Sequence, residues 1–138
     1  MSKALNTLAR LQRAQIDEAK AALAEVVSAR ASIAARQISL EAEIADEQRM
    51  AATHEDARAA YGSYAPRVVQ EKRAMAATDA RLAGEEDAIR ERLSAAYIEL
   101  KKIEHLMATQ AERERLAENA REMASLDEAA AMRAARRS

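Results

Sequence analysis

The sequence contains no cysteine, tryptophan or phenylalanine, and it has only two glycines and one proline in 138 residues. Without cysteine the chain has no disulfide framework, thiolate metal site or thiol chemistry. So few glycines and prolines leave too few turn residues for a β or α/β domain. Three tyrosines are the only aromatic residues, so few large side chains are available to fill a globular core.

What the chain does contain is typical of long helices. Alanine accounts for 37 residues, and 33% of the chain is charged. The 22 basic and 23 acidic residues balance to a net charge of -1, which gives no electrostatic reason to expect a nucleic-acid partner. The first residues contain no continuous apolar run, so we expect no secretory signal and no direct membrane insertion. We therefore expect a cytoplasmic protein.

Residues 4–60 contain neither glycine nor proline, and they are rich in alanine, leucine, glutamate and arginine. This composition predicts one long helix over about 4–60. The turn-like residues cluster at 61–66, where Gly62 permits a positive φ and Pro66 suits the first position of a new helix. A second helix is predicted over about 67–135, and the whole chain, 1–138, is predicted to be a single coiled-coil domain.

Apolar residues recur in steps of three and four along both predicted helices. The first seam is Ile16, Ala19, Leu23, Val26, Ile33, Leu40 and Ile44, interrupted by Arg30 and Gln37; the second is Ile89, Leu93, Ala96, Leu100, Ile103 and Met107.

Folding the chain at 61–66 brings the large members of these seams together, because a short connection between long helices requires antiparallel neighbours. The predicted fold is an all-α, antiparallel two-helix coiled-coil hairpin, with a C-terminal helical overhang that begins after about Ser125. The predicted pairs are Leu23 with Ile103, Val26 with Leu100, Ile33 with Leu93 and Ile44 with Leu82, followed less closely by Leu11 with Leu116 and Leu5 with Met123.

Residues suited to catalysis are scarce. His54 and His105 have no second ligand four residues away, so we interpret both as surface histidines. Glu85, Glu86 and Asp87 form a solvated acidic run, since a two-helix rod offers no pocket that raises the pKa of a carboxyl group. The sequence therefore predicts no catalytic residue, no metal site and no cofactor, and a protein that is not an enzyme.

Two stretches carry a resemblance to a known family. The run from Leu5 to Leu11, followed by Ile16-Asp17-Glu18-Ala19, resembles the opening of the flagellar FliJ family, which is related to the YscO-type stalk proteins of injectisomes. Leu116-Ala117-Glu118-Asn119, Leu126-Asp127-Glu128-Ala129 and the arginine-rich tail are similar to the second recognisable segment of that family. The resemblance implies a non-enzymatic stalk of the type III flagellar export apparatus, peripherally associated with the inner membrane.

The resemblance also implies partners: a hexameric flagellar export ATPase, a membrane protein of the export gate, and export chaperones. It places the export-gate contact at Leu40, Tyr64 and Val68. It places the ATPase-ring contact at the two chain ends, in Leu5, Leu8, Leu11, Asp17, Leu116, Glu118, Asn119, Asp127, Glu128 and Arg133.

Other functions stay open at this stage. A coiled-coil spacer or homo-oligomeric scaffold with no ATPase partner fits the same periodicity, although a simple spacer does not require a partnerless overhang. An enzyme is a weaker alternative, because the chain offers no pocket. The single self-consistent register leads us to expect a monomer.

Overall fold

The computed structural model describes residues 2–137, and nearly all of them are helical. Helix α1 runs over Lys3–Thr53 and helix α2 over Glu55–Arg137. Alanine and the long unbranched side chains that dominate both segments lose little freedom in a helix, which explains two helices of such length. The prediction of an all-α antiparallel two-helix coiled coil with a C-terminal helical overhang is confirmed.

The turn lies at His54 and not at 61–66, so the predicted helix boundaries are wrong. The His54 amide donates to the Met50 carbonyl at 3.0 Å, and the Arg58 amide donates to the His54 carbonyl at 3.1 Å. Arg58 Nε also donates to the Ala51 carbonyl at 3.2 Å, which satisfies an acceptor at the end of α1. Two acids at the start of α2, Glu55 and Asp56, interact favourably with its positive end.

Pro66 lies inside α2, although a proline in a helix interior costs about 3 kcal/mol. Proline clashes with the carbonyl four residues earlier, and here that residue is Gly62, whose backbone adjusts most freely. The packing of the flanking residues offsets the cost: Val68 is buried, and the rings of Tyr61 and Tyr64 lie 6.1 Å apart. Tertiary packing therefore overrides the local turn signal.

Residues cluster into two compact units. The terminal unit contains residues 2–16 and 95–137, and the turn unit contains Asp17–Ser94. Every residue of the two predicted seams is buried or half-buried, so the seams are confirmed. The buried positions are Ala9, Ile16, Ala96 and Ile103 in the terminal unit, and Ala19, Leu40, Ala51, Val68, Leu82 and Ile89 in the turn unit.

The register between the helices differs from the predicted one. In the turn unit Arg36 Nε bonds Glu71 Oε1 at 2.8 Å, and Gln48 Nε2 bonds the Tyr61 hydroxyl at 3.1 Å. These contacts belong to a register in which α2 is shifted by about two heptads from the predicted pairing. The residue pairs that were predicted between the two helices are therefore wrong. A slip by whole heptads keeps the same residues on the seam, so apolar spacing alone does not distinguish the two registers.

A charged layer inside the seam distinguishes the observed register from the predicted one. Arg30 Nε lies 2.9 Å from Asp79 Oδ1, and Arg30 Nη1 lies 3.2 Å from Glu86 Oε1. All three occupy seam positions, and the Glu86 side chain is only 16% exposed. In the predicted register Arg30 would face Ala96, and both carboxylates would lose this partner. A charge left unpaired at a partly buried seam is costly, so the observed register is favoured.

Arginine partners shift the pKa values of this layer. The hydrogen bond from Arg30 lowers the pKa of Asp79, and hydrogen bonds from Arg90 and then Arg30 lower the pKa of Glu86. In the same unit, the hydrogen bond from Arg36 lowers the pKa of Glu71. The carboxylates of the seam and its flank are thereby kept charged at neutral pH.

The overhang begins earlier than predicted. Burial on α2 ends near Gln110, and residues 111–128 are all exposed. The predicted pairs Leu11 with Leu116 and Leu5 with Met123 are wrong, because Leu11, Leu116 and Met123 are each more than half exposed. The seam stops because α1 begins at Lys3, so in the observed register no α1 residue remains to face α2 beyond about residue 110. The next seam positions are Glu114, Ala117, Arg121, Ala124 and Glu128. We call residues 111–137 the overhang.

Burial predicts the cost of core substitutions. Leu40 is 1% exposed, whereas nearby Ile38 is 75% exposed. Leu40→Ala is expected to lower the free energy of unfolding by about 2–4 kcal/mol, because it removes contacts from a packed seam. Ile38→Ala is the matched control and should change it by less than about 0.5 kcal/mol. Urea unfolding followed by circular dichroism measures both, and equal losses would contradict the placement of α1.

Acid should loosen the turn unit through the charged layer. A carboxyl group whose pKa is lowered by folding stabilises the folded state above its unfolded pKa of about 4, and this contribution disappears as the pH falls. The thermal midpoint should therefore drop between about pH 5 and pH 2.

Arg30→Met should flatten that dependence, because Asp79 loses its partner. Arg81→Gln is the control, since Arg81 pairs with Glu85 only within α2, on an exposed surface. An equally steep acid transition in Arg30→Met and in the unsubstituted protein would refute the role of the layer.

Candidate partner-binding surfaces

The overhang presents an apolar stripe to solvent. Leu116, Met123 and Leu126 are 54%, 61% and 65% exposed, and their spacing of seven and three places them on one side of α2. This stripe is offset by one residue from the seam that ends at Gln110, a rotation of about 100°. The stripe is therefore directed away from the line of the hairpin core.

The predicted ring contacts fall into two groups. Leu116, Glu118, Asn119, Asp127, Glu128 and Arg133 are all exposed on the overhang. On α1, Leu8 and Leu11 are 45% and 54% exposed, whereas Leu5 is half-buried and belongs to the seam. Asp17 is exposed but belongs to the turn unit, so the structure does not bring it into the same cluster.

Sequence reasoning missed Leu106, which is 53% exposed in the terminal unit. Leu8 and Leu106 each directly precede a seam position, Ala9 and Met107. In an antiparallel pair such positions flank the same side of the seam, so Leu8 and Leu106 share one side of the terminal unit. The sequence does contain a signal for this surface, because each of these apolar residues directly precedes a seam position. Predicting that the two residues share one side also required the correct register.

The basic residues near the two chain ends lie on separate parts of the terminal unit. Lys3, Arg10 and Arg13 lie on the part of α1 that packs beside the last buried residues of α2. Arg133, Arg136 and Arg137 lie at the far end of the overhang, about 25 residues beyond Met107. The overhang itself carries a local ion pair in which Arg115 lies 2.6 Å from Glu112 and lowers the pKa of that carboxyl.

The predicted gate contacts lie in the packed part of the turn unit. Leu40 and Val68 are 1% and 7% exposed, and Tyr64 is half-buried. Their exposed neighbours are Met50 and Val69. The gate contact stays a prediction. Because Leu40 and Val68 are buried, their side chains contribute to the packing of the turn unit.

The Tyr64 hydroxyl is buried and has no hydrogen-bond partner among the described residues. Burial is the main cause that raises the pKa of Tyr64, and the nearby carboxylates of Glu43 and Glu47 add to it. The phenol therefore stays neutral at physiological pH.

The histidines and carboxylates form no arrangement typical of catalysis. His54 Nδ1 lies 2.8 Å from Thr53 Oγ1 at the turn, and His105 is exposed on α2. Within residues 2–137, no cluster of three or more histidine, aspartate or glutamate side chains is placed to hold a metal ion. In that same range, neither helix contains a stretch apolar and long enough to traverse a bilayer.

These features define an all-α, two-helix coiled-coil protein with exposed apolar residues on its overhang. The chain belongs to the FliJ family, since the family model described as Flagellar FliJ protein matches residues 1–138. Comparison with curated proteins and with solved structures gave no significant match. Membership makes the chain a component of the flagellar export apparatus, in a family that is not known for enzymatic activity.

Removing the unpaired hydroxyl tests the packing near the turn. Tyr64→Phe is expected to raise the thermal midpoint slightly, because a buried polar group without a partner costs free energy. Tyr61→Phe is the control and should lower or preserve it, since the Tyr61 hydroxyl accepts a hydrogen bond from Gln48. A lower midpoint for Tyr64→Phe would show that the hydroxyl has a stabilising partner in solution.

Proposed function

We propose that this chain is the non-enzymatic stalk of the flagellar type III export apparatus. The overhang and the adjoining part of α1 enter the hexameric export ATPase, and the turn unit extends toward the export gate. The family match supports a role in flagellar export. The exposed stripe of Leu116, Met123 and Leu126 on a helix that has left the seam is the observation that carries the ATPase contact.

The stripe is suited to insertion between protein subunits. Large apolar side chains at more than half exposure gain free energy when a partner covers them. Exposed charges on the same helix, such as Glu118 and Asp127, set the orientation of the partner more than the affinity. Arg133 and the arginines that follow it add a basic end, which favours an acidic lining of the ring.

A single helix or helix pair inside a six-fold ring does not contact six subunits equally. Unequal contact favours different conformations in different subunits, and with them different nucleotide states. Reciprocity of binding then requires that nucleotide binding also change the affinity of the ring for the stalk. Coupling therefore needs no catalytic group on this chain.

The remaining partners follow from the family resemblance. The export-gate contact is proposed on the turn unit, where Met50 and Val69 are exposed apolar residues. Export chaperones are proposed to bind the same protein, which brings cargo and ATPase together. These contacts give a peripheral association with the membrane export machinery.

A structural spacer or scaffold is the second candidate. The confirmed coiled coil fits it, but a spacer gains nothing from a long overhang with an exposed apolar stripe that adds no contact to the seam. The experiment below separates the two candidates.

Deleting residues 111–138 should abolish stimulation of the export ATPase and leave the thermal midpoint of the hairpin within about 2 °C of the full chain, because the overhang adds no seam contacts. Purified full-length and truncated protein are mixed with the flagellar export ATPase. ATP hydrolysis is measured together with hexamer assembly.

A point variant gives the sharper control. Met123→Glu places a charge on the stripe and should reduce stimulation about tenfold or more, which corresponds to a loss of at least 1.4 kcal/mol in binding. Ala124→Glu adds the same charge one residue away and should have little effect. If the full chain changes neither assembly nor turnover of the ATPase, the stalk proposal is wrong and the spacer is favoured.

A further inference from the structure

One side of the turn unit carries large exposed aliphatic residues and no charge. On α1, Ile38 is 75% exposed and Val27 is 43% exposed. The positions between and beside them on the same side are Ala24, Ala31 and Ala34, all exposed. No charged residue occurs on this side of α1 between Lys20 and Glu41, in a chain that is 33% charged.

The α2 helix continues the same side. The ion pair of Arg36 with Glu71 fixes the charged flank of the seam, so the opposite flank is the one that holds Val27 and Ala34. On α2 that opposite flank carries Ala76, Ala80 and Ala83, between the exposed charges of Arg73 and Asp87. We call the α1 and α2 residues of this flank the uncharged face.

We propose that the uncharged face binds a second copy of this chain, in an antiparallel two-fold dimer with four helices. The two α1 helices cross the dimer axis near Ala31 and Ala34, and the two α2 helices lie side by side next to them. Alanine at the centre permits close approach of the helices. Val27 of one copy then packs against Ile38 of the second copy, twice by symmetry.

Charge complementarity favours a second copy of the chain as the partner and an antiparallel arrangement of the two copies. The uncharged stretch of α2 is bounded by Arg73 on one side and Asp87 on the other. An antiparallel pair sets Arg73 of one copy beside Asp87 of the second copy, whereas a parallel pair sets like charges together. The ends of the α1 stretch behave in the same way, because Lys20 of one copy approaches Glu41 of the second copy.

The same surface on both partners is the requirement for a two-fold interface. A face with a positive charge at one end and a negative charge at the other meets that requirement. In the antiparallel dimer each of these charges lies beside the opposite charge of the second copy. A partner with a uniformly charged helix would leave one end of the face repelled. The bounding charges therefore favour a second copy over a partner of single-sign charge.

The available area indicates a weak, reversible dimer. At about 1.5 Å per residue the face is about 30 Å long, and two helices about 10 Å wide give roughly 600 Å² per copy. The total of about 1,200 Å² lies at the lower limit for specific interfaces. Because alanine dominates this small face, we expect weak association, with a dissociation constant on the order of 1–100 µM and a monomer when dilute.

This inference does not rest on the proposed function. It concerns the turn unit, whereas the proposed ring contacts lie in the terminal unit apart from Asp17. Loss of ATPase stimulation on deletion of the overhang and loss of the dimer are therefore separate results.

Sedimentation equilibrium of the full chain at about 5 µM and about 300 µM tests the proposal. The mass should rise from 15.1 kDa toward twice that value. Ile38→Glu should weaken the dimer about tenfold or more, because two charges would be buried at the interface. Ser39→Glu is the control, since Ser39 is the exposed neighbour on a different side of α1.

Circular dichroism checks that both variants keep their helices. A monomer at about 300 µM, or a dimer that responds equally to the two substitutions, would overturn the proposal. Because the chain has no cysteine, direction is tested by mixing Val27→Cys protein with Ile38→Cys protein and oxidising. The mixed disulfide should predominate, and predominance of same-residue disulfides would overturn the antiparallel arrangement.

Discussion

The pairing of Arg30 with Asp79 and Glu86 is the constraint on which the arrangement of the two helices depends. An apolar seam of heptads is satisfied by any slip of seven residues, and the alternative register brings more large aliphatic side chains opposite one another. Three charges at seam positions remove that freedom, because only one register pairs them. An unpaired charge at a partly buried position is costly, and this cost favours the register in which all three charges are paired.

The register also determines what is left uncovered. Sliding α2 by about two heptads moves the end of the seam from the vicinity of Ser125 back to Gln110. Residues 111–125, which the alternative register would place beside α1, are exposed. The charged layer in the turn unit is thus linked through the sequence to the length of the overhang, which exists because α2 has 83 residues and α1 has only 51.

Helix content, seam residues and family were accessible from the sequence, because each rests on local composition or on period. The turn and the register were not. Gly62 and Pro66 are strong local signals, but packing of Tyr61 and Val68 overrides them, while the acids Glu55 and Asp56 at the true turn are a weaker signal. Predicting the register required recognising that Arg30 needs a charged partner at the seam. Apolar spacing alone identifies Arg30 only as an interruption of the seam. The burial of Leu40 and Val68 also follows from the apolar period, because both are seam positions.

The overhang stays helical without a neighbouring helix, and this has a consequence for binding. Isolated helices shorter than about 12–15 residues are marginal in water, but residues 111–137 exceed that length and are rich in alanine, glutamate and arginine. The pair of Glu112 with Arg115 adds local support. A segment that is already helical loses less conformational entropy on binding than one that must fold on its partner. Leu116 and Met123 are therefore held on one side in advance, and most of the free energy from covering them is available for association.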